Sequence, residues 1–139
     1  MVRARASTVG RSYPRARTTI RRANVILVDD DALVRTALSR LLRGVGFKVT
    51  AFERPSEVLT KMLPRTNACL LLDIYMPEMN GVRLWHELRA RGVAIPTILI
   101  TGQRDARTEH YAKEIGAAAL LYKPVEEQEL LQAIERALT

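Results

Sequence analysis

An apolar run that stops on a single carboxylate restricts the fold of this chain more than any other feature. Residues 69–72 are all apolar, and Asp73 follows them directly, before a loop that contains Pro77 and Gly81. Such a continuous run is typical of a parallel strand covered on both faces, and open parallel sheets bind ligands beyond the carboxyl ends of their strands. Asp73 is therefore either a ligand-binding carboxylate or a cap on a nearby turn or helix. Functional side chains at the ends of the other strands would favour the first role.

The same change from an apolar run to helical spacing recurs along the chain. Apolar runs predict five strands, at residues 24–28, 47–52, 69–72, 95–100 and 118–122. Apolar residues three and four apart predict five helices after them, at about residues 32–43, 55–63, 81–92, 106–115 and 130–138. Gly44 and Gly46 are expected to end the first helix, and Pro64 the second. This alternation is typical of an α/β fold with a doubly wound five-stranded parallel sheet and right-handed crossovers.

Length and composition favour one soluble domain. A chain of 139 residues can bury a self-sufficient core. Cys69 is the only cysteine, so no internal disulfide can form, and its apolar surroundings predict a buried side chain. No apolar run approaches the roughly 18 residues of a membrane span, and the N-terminus lacks the apolar core of a secretory signal. We expect a cytoplasmic protein with one folded domain at residues 23–139 and no second domain after the last helix.

The net charge of +7 is concentrated at the N-terminus. Residues 1–22 contain seven arginines and no acid, while the remainder has 15 basic and 15 acidic residues. An Arg-rich segment with few apolar residues is predicted to be a disordered tail, because it cannot bury enough surface to offset its ordering entropy. Such a tail could bind nucleic acid or an anionic membrane surface, serve as an organelle transit peptide, or be a solvated extension without a role.

Four of the predicted strands end on polar residues suited to phosphoryl chemistry. The first strand ends on Asp29 and Asp30, the third on Asp73, the fourth on Thr101 and the fifth on Lys123. Parallel strands bring these ends to a single rim. Grouped carboxylates suit a hard cation such as Mg²⁺, and a carboxylate can form an aspartyl-phosphate. Asp73 is thus a candidate nucleophile, with a metal ion and an ammonium group to neutralise the transferred phosphoryl group.

At this level of detail the sequence resembles the receiver domains of bacterial two-component response regulators. The resemblance covers about residues 24–139 and is most similar to the receivers of FixJ-type regulators. It is carried by four motifs in order, at residues 28–31 (VDDD), 72–81 (LDIYMPEMNG), 98–102 (ILITG) and 122–124 (YKP). Each motif is weak alone, but the four together at these spacings are specific. The resemblance implies the strand order 2-1-3-4-5, which is known for doubly wound sheets of this type.

The family also implies a role for each matched residue. Asp73 would accept a phosphoryl group from a sensor histidine kinase or a phosphotransfer protein. Asp29, Asp30 and Asp73, with the backbone carbonyl of Tyr75, would hold Mg²⁺. Thr101 would contact the phosphoryl oxygens. The protein would catalyse its own phosphorylation and dephosphorylation and signal by protein contact, rather than turn over an external substrate.

The last motif adds two further expectations. Lys123 would also contact the phosphoryl oxygens, and its peptide bond to Pro124 would be cis. Family members often carry an aromatic residue three places before this lysine, where the present chain has Leu120. Tyr122 shares the face of Leu120, because strand side chains alternate with a period of two. Leu120 is smaller than an aromatic ring and has no hydroxyl to exchange partners. We therefore expect phosphorylation to shift the surface made by the fourth helix, fifth strand and fifth helix less strongly than in relatives with the aromatic residue.

Two other functions are consistent with parts of the sequence. Asp29 and Asp31, spaced two apart after a strand, resemble the nucleophile motif of haloacid-dehalogenase-like phosphohydrolases, but this alternative leaves Asp73 unexplained. A nucleic-acid-binding protein could use the basic residues 1–22, and its affinity would then be non-specific and strongly salt-dependent.

Overall fold

The computed structural model of the chain describes residues 22–139, which form five strands and five helices in alternation. The strands are β1 (Asn24–Val28), β2 (Lys48–Phe52), β3 (Ala68–Asp73), β4 (Thr97–Thr101) and β5 (Ala119–Tyr122). The helices are α1 (Ala32–Val45), α2 (Pro55–Leu59), α3 (Gly81–Ala90), α4 (Ala106–Ile115) and α5 (Glu127–Leu138). Apart from Arg22, the tail predicted at residues 1–22 lies outside the described residues.

All five strands are parallel and stand in the order β2-β1-β3-β4-β5. This arrangement confirms the doubly wound sheet and the strand order that the resemblance implied. The order changes direction between β1 and β3, where Val28 pairs with Leu72. Asp29 and Asp73, the next residue on each strand path, therefore stand side by side at the switch point, where doubly wound sheets bind their ligands.

The sheet is covered on both faces by hydrophobic cores, which explains why β3 shows no alternation. All six residues of β3 are buried. Leu70 and Leu72 pack on the side that contains α2, α3 and α4, whereas Cys69 and Leu71 pack against α1 and α5. Burying a leucine side chain contributes about 1.5–3 kcal/mol, so both faces of this strand stabilise the fold. Burial also raises the pKa of the Cys69 thiol to about 12, as expected for a structural cysteine.

Several helix boundaries differ from the sequence predictions, among them the ends of the first two helices. The second helix ends at Leu59 rather than near residue 63, because the amides of Thr60 and Lys61 bond three residues back and tighten its last turn. Met62, expected on its apolar face, is instead 99% exposed. The first helix continues through Gly44 to Val45, and Gly46 ends it with a φ of 120°. A positive φ favours glycine, so Gly46 is confirmed as a stop, whereas Gly44, the other predicted stop, lies inside the helix.

In the part of the chain from residue 22 onward, no helix is both long enough and apolar enough to span a bilayer.

Candidate active site

The predicted rim residues converge at the carboxyl edge of the sheet. Asp29 follows β1 directly, Asp73 and Thr101 are the last residues of β3 and β4, and Lys123 follows β5. Asp29 and Thr101 are fully buried and Asp73 is 3% exposed, whereas Asp30 is exposed. The burial follows from the fold, because these strand ends lie beneath the loops that lead into the helices.

Three carboxylates in this rim are close enough to share a cation. One oxygen each of Asp29, Asp30 and Asp73 lies within 4.8 Å of the other two. Among the described residues, Oδ2 of Asp29 is buried and receives no hydrogen bond of good geometry, although Lys123 Nζ lies 3.0 Å away. A buried carboxylate oxygen that is short of partners is costly. A hard cation with oxygen ligands would satisfy this oxygen, so the residues present fit a divalent metal ion.

Lys123 supplies the positive charge nearest to these carboxylates. Its Nζ lies 3.0 Å from Asp29 Oδ2 and 3.4 Å from Asp73 Oδ2. Burial of the ammonium group would lower the pKa of Lys123, but the two carboxylates outweigh it and raise the pKa. Lys123 therefore stays charged, bridging two acids. Its peptide bond to Pro124 is cis, as the resemblance implied.

Asp73 has a perturbed protonation equilibrium. Burial and the neighbouring charge of Asp29 raise the pKa of Asp73 to about 7, while Lys123 acts in the opposite direction. A raised pKa means that Asp73 keeps its proton to a higher pH than an exposed aspartate does. A cation that binds the cluster would compete with this proton.

Comparison with known proteins identifies the fold and the family. The sequence matches the family model of the response regulator receiver domain over residues 25–135. The chain belongs to this family. Nodulation protein W of Bradyrhizobium diazoefficiens is 38% identical over 116 residues, a match that covers 84% of this chain and 51% of the relative. The response regulator protein TodT of Pseudomonas putida is 41% identical over 118 residues, covering 84% of this chain and 52% of TodT.

A solved structure supports the same conclusion. The crystal structure of FixJ-N is 34% identical to this receiver domain, with a TM-score of 0.76, and the match covers 84% of this chain and 93% of FixJ-N. The present chain spans about half the length of the curated relatives just described.

Thr101 of this receiver domain is positioned by two hydrogen bonds. Its hydroxyl accepts a hydrogen bond from the amide of Gln103 at 3.0 Å, and its carbonyl accepts one from the amide of Lys123 at 2.8 Å. The hydroxyl of Thr101 thus fixes the start of the loop after β4. The backbone hydrogen bond links the end of β4 to Lys123, the residue after β5. Thr101 lies on the strand next to that of Asp73.

Tyr75 lies in the loop after Asp73 with its ring half-buried. Its hydroxyl is buried and has no hydrogen-bond partner among residues 22–139. Burial and the charge of Asp105 raise the pKa of Tyr75, and the Arg107 guanidinium, 5.9 Å from the ring centroid, partly opposes them. The side chain of Tyr75 therefore interacts with the start of α4, and the proposed role of its backbone carbonyl as a metal ligand stays a prediction.

Two residues that support the site were not predicted in this role. Asp31 is exposed and caps α1: its Oδ1 accepts hydrogen bonds from the amides of Leu33 and Val34 at 2.9 and 3.3 Å. An aspartate directly before a helix is a common N-cap, so this signal was present in the sequence. Arg35 donates from Nη1 to the carbonyl of Asp29 at 2.9 Å. No local pattern indicates that contact, because it depends on how the helix is oriented.

The raised pKa of Asp73 predicts a pH-dependent stability of the metal-free protein. Unfolded, this carboxyl titrates near 3.8, but folded it titrates near 7. Between these values the folded state binds more protons, so the free energy of unfolding falls as the pH rises through this window. We expect Asp73→Asn to raise the free energy of unfolding by about 1–2 kcal/mol at about pH 8, and by progressively less as the pH falls toward about 4.

Denaturant unfolding in a chelator at several pH values measures this effect. Asp31→Asn is the matched control, because asparagine also caps helices. An Asp73→Asn variant with the same pH slope as the parent would show that Asp73 is ionised at all these pH values.

Proposed function

We propose that this receiver domain accepts a phosphoryl group on Asp73 from a phosphohistidine of a sensor kinase or phosphotransfer protein. The observation that carries the proposal is a nearly buried carboxylate with an ammonium group 3.4 Å away and two further carboxylates within 4.8 Å. The Asp73 carboxylate and the phosphoryl group are both negatively charged and repel each other. Asp73 can attack the phosphoryl group only if additional positive charge nearby offsets this repulsion. The cluster fits a divalent cation for that reason, and Mg²⁺ is the ion we propose.

In the proposed transfer, a carboxylate oxygen of Asp73 attacks the phosphorus. The new oxygen–phosphorus bond forms as the bond to the donor's imidazole nitrogen breaks, and the electron pair of that bond leaves with the imidazole. The Lys123 ammonium group stabilises negative charge on the phosphoryl oxygens, and the Thr101 hydroxyl can donate to one of them. Mg²⁺ held by Asp29, Asp30, Asp73 and the Tyr75 carbonyl would supply further charge neutralisation and orientation.

We infer that the phosphorylated domain acts as a signal read by protein contact, rather than as an enzyme with an external substrate. Hydrolysis of the aspartyl-phosphate would return the domain to its starting state. Support comes from the receiver family, whose model matches residues 25–135. We place the domain at residues 23–139 of a cytoplasmic protein, and assign any contact with nucleic acid or an anionic surface to residues 1–22, which carry seven arginines and no acid.

Incubation with acetyl phosphate and Mg²⁺, followed by intact-protein mass spectrometry, tests the proposal. We expect an increase of one phosphoryl group, which a chelator abolishes. Folded protein that gains no phosphoryl group under these conditions, or gains it equally with chelator, would contradict the proposed chemistry.

Mg²⁺ is also expected to stabilise the fold. The carboxylates of Asp29, Asp30 and Asp73 repel one another, and a cation that binds only the native cluster adds stability by mass action, about 2.7 kcal/mol at a hundredfold excess over its Kd. The melting temperature of the parent protein should therefore rise in Mg²⁺. We expect this rise to be largely lost in Asp30→Asn.

Asp31→Asn is the control, because it removes a neighbouring charge outside the cluster and keeps the helix cap. The metal assignment fails if Mg²⁺ leaves the melting temperature of the parent unchanged, or if both variants keep the full rise.

A further inference from the structure

The loop between β4 and α4, residues 102–105, is fastened at two points. At its start, the Gln103 amide donates to the Thr101 hydroxyl at 3.0 Å. Further along, the guanidinium of Arg104 lies over the ring of Tyr122, 3.9 Å from the centroid. The Tyr122 hydroxyl lies 3.4 Å from the Thr108 hydroxyl in the first turn of α4. We call Arg104, Tyr122 and Thr108 the clasp.

The clasp is directly adjacent to the proposed phosphorylation chemistry. Tyr122 pairs with Thr101 in the register of β4 and β5, and Lys123 is the next residue along the chain. Tyr122 is half-buried and Arg104 is exposed, so the two form a stacked contact at the surface. Leu120, two residues earlier on the same face, packs into the core below. Tyr122 is thus the aromatic ring of β5 that contacts both the loop and α4.

A phosphoryl group on Asp73 would disturb the first fastening point of the loop. A hydroxyl can donate one hydrogen bond while it accepts another, so donation to a phosphoryl oxygen does not by itself release the Gln103 amide. A rotation of the Thr101 side chain toward the phosphoryl group, favoured by this charge-assisted bond, would move Oγ1 and weaken the bond from Gln103. Of the two points that fasten the loop to the sheet, the contact between Arg104 and Tyr122 would then remain at full strength, while Asp105 keeps its hydrogen bonds with Thr108 at the start of α4.

We propose that the clasp is a latch that holds α4 in its unphosphorylated arrangement. The inference rests on the proposed function and assigns the restraint to Tyr122 and Arg104 rather than to the position of Leu120. A contact that exists in only one of two states biases the population toward that state. Breaking the latch therefore favours the activated arrangement before any phosphoryl group is present. By linkage, the same change must tighten the binding of a phosphoryl group at Asp73.

The test is a titration of the full chain with beryllofluoride at saturating Mg²⁺. Beryllofluoride is an anionic mimic of a phosphoryl group that binds a carboxylate without any phosphoryl transfer. Amide chemical shifts of residues 73–76 report binding, and those of residues 106–115 report the arrangement of α4. We expect Arg104→Met and Tyr122→Leu each to bind the mimic about threefold more tightly than the parent, the factor expected for a lost surface cation–π contact. The double variant should bind no more tightly than either single variant, because both remove the same contact.

Arg107→Met is the matched control, because Arg107 lies one turn away over Tyr75, at 5.9 Å from the ring centroid. It should leave the affinity unchanged or slightly weakened. Loss of a positive charge alone weakens the binding of an anion, so tighter binding by Arg104→Met cannot arise from charge. Tyr122→Phe keeps the ring under Arg104 and should bind like the parent or between the parent and Tyr122→Leu.

The outcomes separate the latch from the proposed function. A parent protein that shows no saturable, Mg²⁺-dependent binding of the mimic contradicts the proposed function itself. A parent that binds, with Arg104→Met and Tyr122→Leu binding equally or more weakly, overturns the latch alone. Melting temperatures are measured in parallel, because a purely structural role would lower them in these variants without tightening the binding.

Discussion

Replacing Lys123 with methionine is expected to slow phosphoryl transfer to Asp73 by about 10²–10³-fold, the usual cost of removing one charge-stabilising donor. Lys123 Nζ lies 3.0 Å from Asp29 and 3.4 Å from Asp73, so it is the ammonium group positioned to contact the phosphoryl oxygens. The rate is measured by mass spectrometry of samples taken during incubation with acetyl phosphate and Mg²⁺. Methionine keeps most of the length of the side chain, so packing is preserved.

The control for this variant is Lys61→Met, which removes an exposed lysine from the turn after α2, away from the rim. It should transfer at the rate of the parent. Equal rates for Lys123→Met and the parent would show that the ammonium group does not act in the transfer. Thermal unfolding of both variants accompanies the kinetics, because Lys123→Met also leaves Asp29 without its counter-charge, and a buried unpaired charge destabilises a protein.

Gly81→Ala is expected to lower the free energy of unfolding by about 2–3 kcal/mol, the upper part of the range for overpacked sites. Gly81 begins α3, and its amide donates to the Ile74 carbonyl at 2.7 Å. A Cβ added there would clash with the carbonyl oxygen of Asp73 and lie 3.0 Å from Cγ of Leu72. A backbone carbonyl cannot turn away as a flexible side chain can, so β3 and the phosphoacceptor itself must move. The variant should also lose phosphoryl transfer.

Gly44→Ala provides the matched control, because a Cβ at that position meets nothing within 4 Å. Gly44 lies inside α1, where alanine stabilises a helix by roughly 0.5–1 kcal/mol relative to glycine. The two Gly→Ala changes should therefore have opposite signs in urea unfolding. A Gly81→Ala protein as stable as the parent would mean that the loop after β3 is not packed against Asp73 as described.

The strand ends could be predicted from the sequence because a strand buried on both faces appears as a continuous run of apolar residues. β3 is a continuous apolar run up to Asp73, which is the last residue of the strand and lies at the carboxyl edge of the sheet although it is only 3% exposed. Parallel pairing then brings these strand ends to one edge of the sheet, regardless of the conformation of the loops. The period of two in a strand predicted that Tyr122 shares the face of Leu120, and Leu120 packs against the core that contains α3 and α4.

Contacts between segments could not be predicted in this way. The early end of α2 depends on hydrogen bonds from the amides of Thr60 and Lys61 to carbonyls three residues back. The apolar pattern continues to Leu63 and gives no sign of this end. The contact between Arg104 and Tyr122 joins a loop to a strand 18 residues later, and neither residue type marks it. The close approach of Gly81 to Asp73 likewise appears only once β3 and α3 are packed.

The assignment of Asp73 as the phosphoacceptor is tested most directly by phosphoryl labelling of two single variants, Asp73→Asn and Asp29→Asn. Both carboxylates are buried at the same rim, so the changes are matched in type and surroundings. With acetyl phosphate and Mg²⁺, we expect Asp73→Asn to gain no phosphoryl group, and Asp29→Asn to be labelled, more slowly, on the peptide that contains Asp73. Labelling that persists in Asp73→Asn and disappears in Asp29→Asn would contradict the assignment and favour the phosphohydrolase chemistry suggested by Asp29 and Asp31.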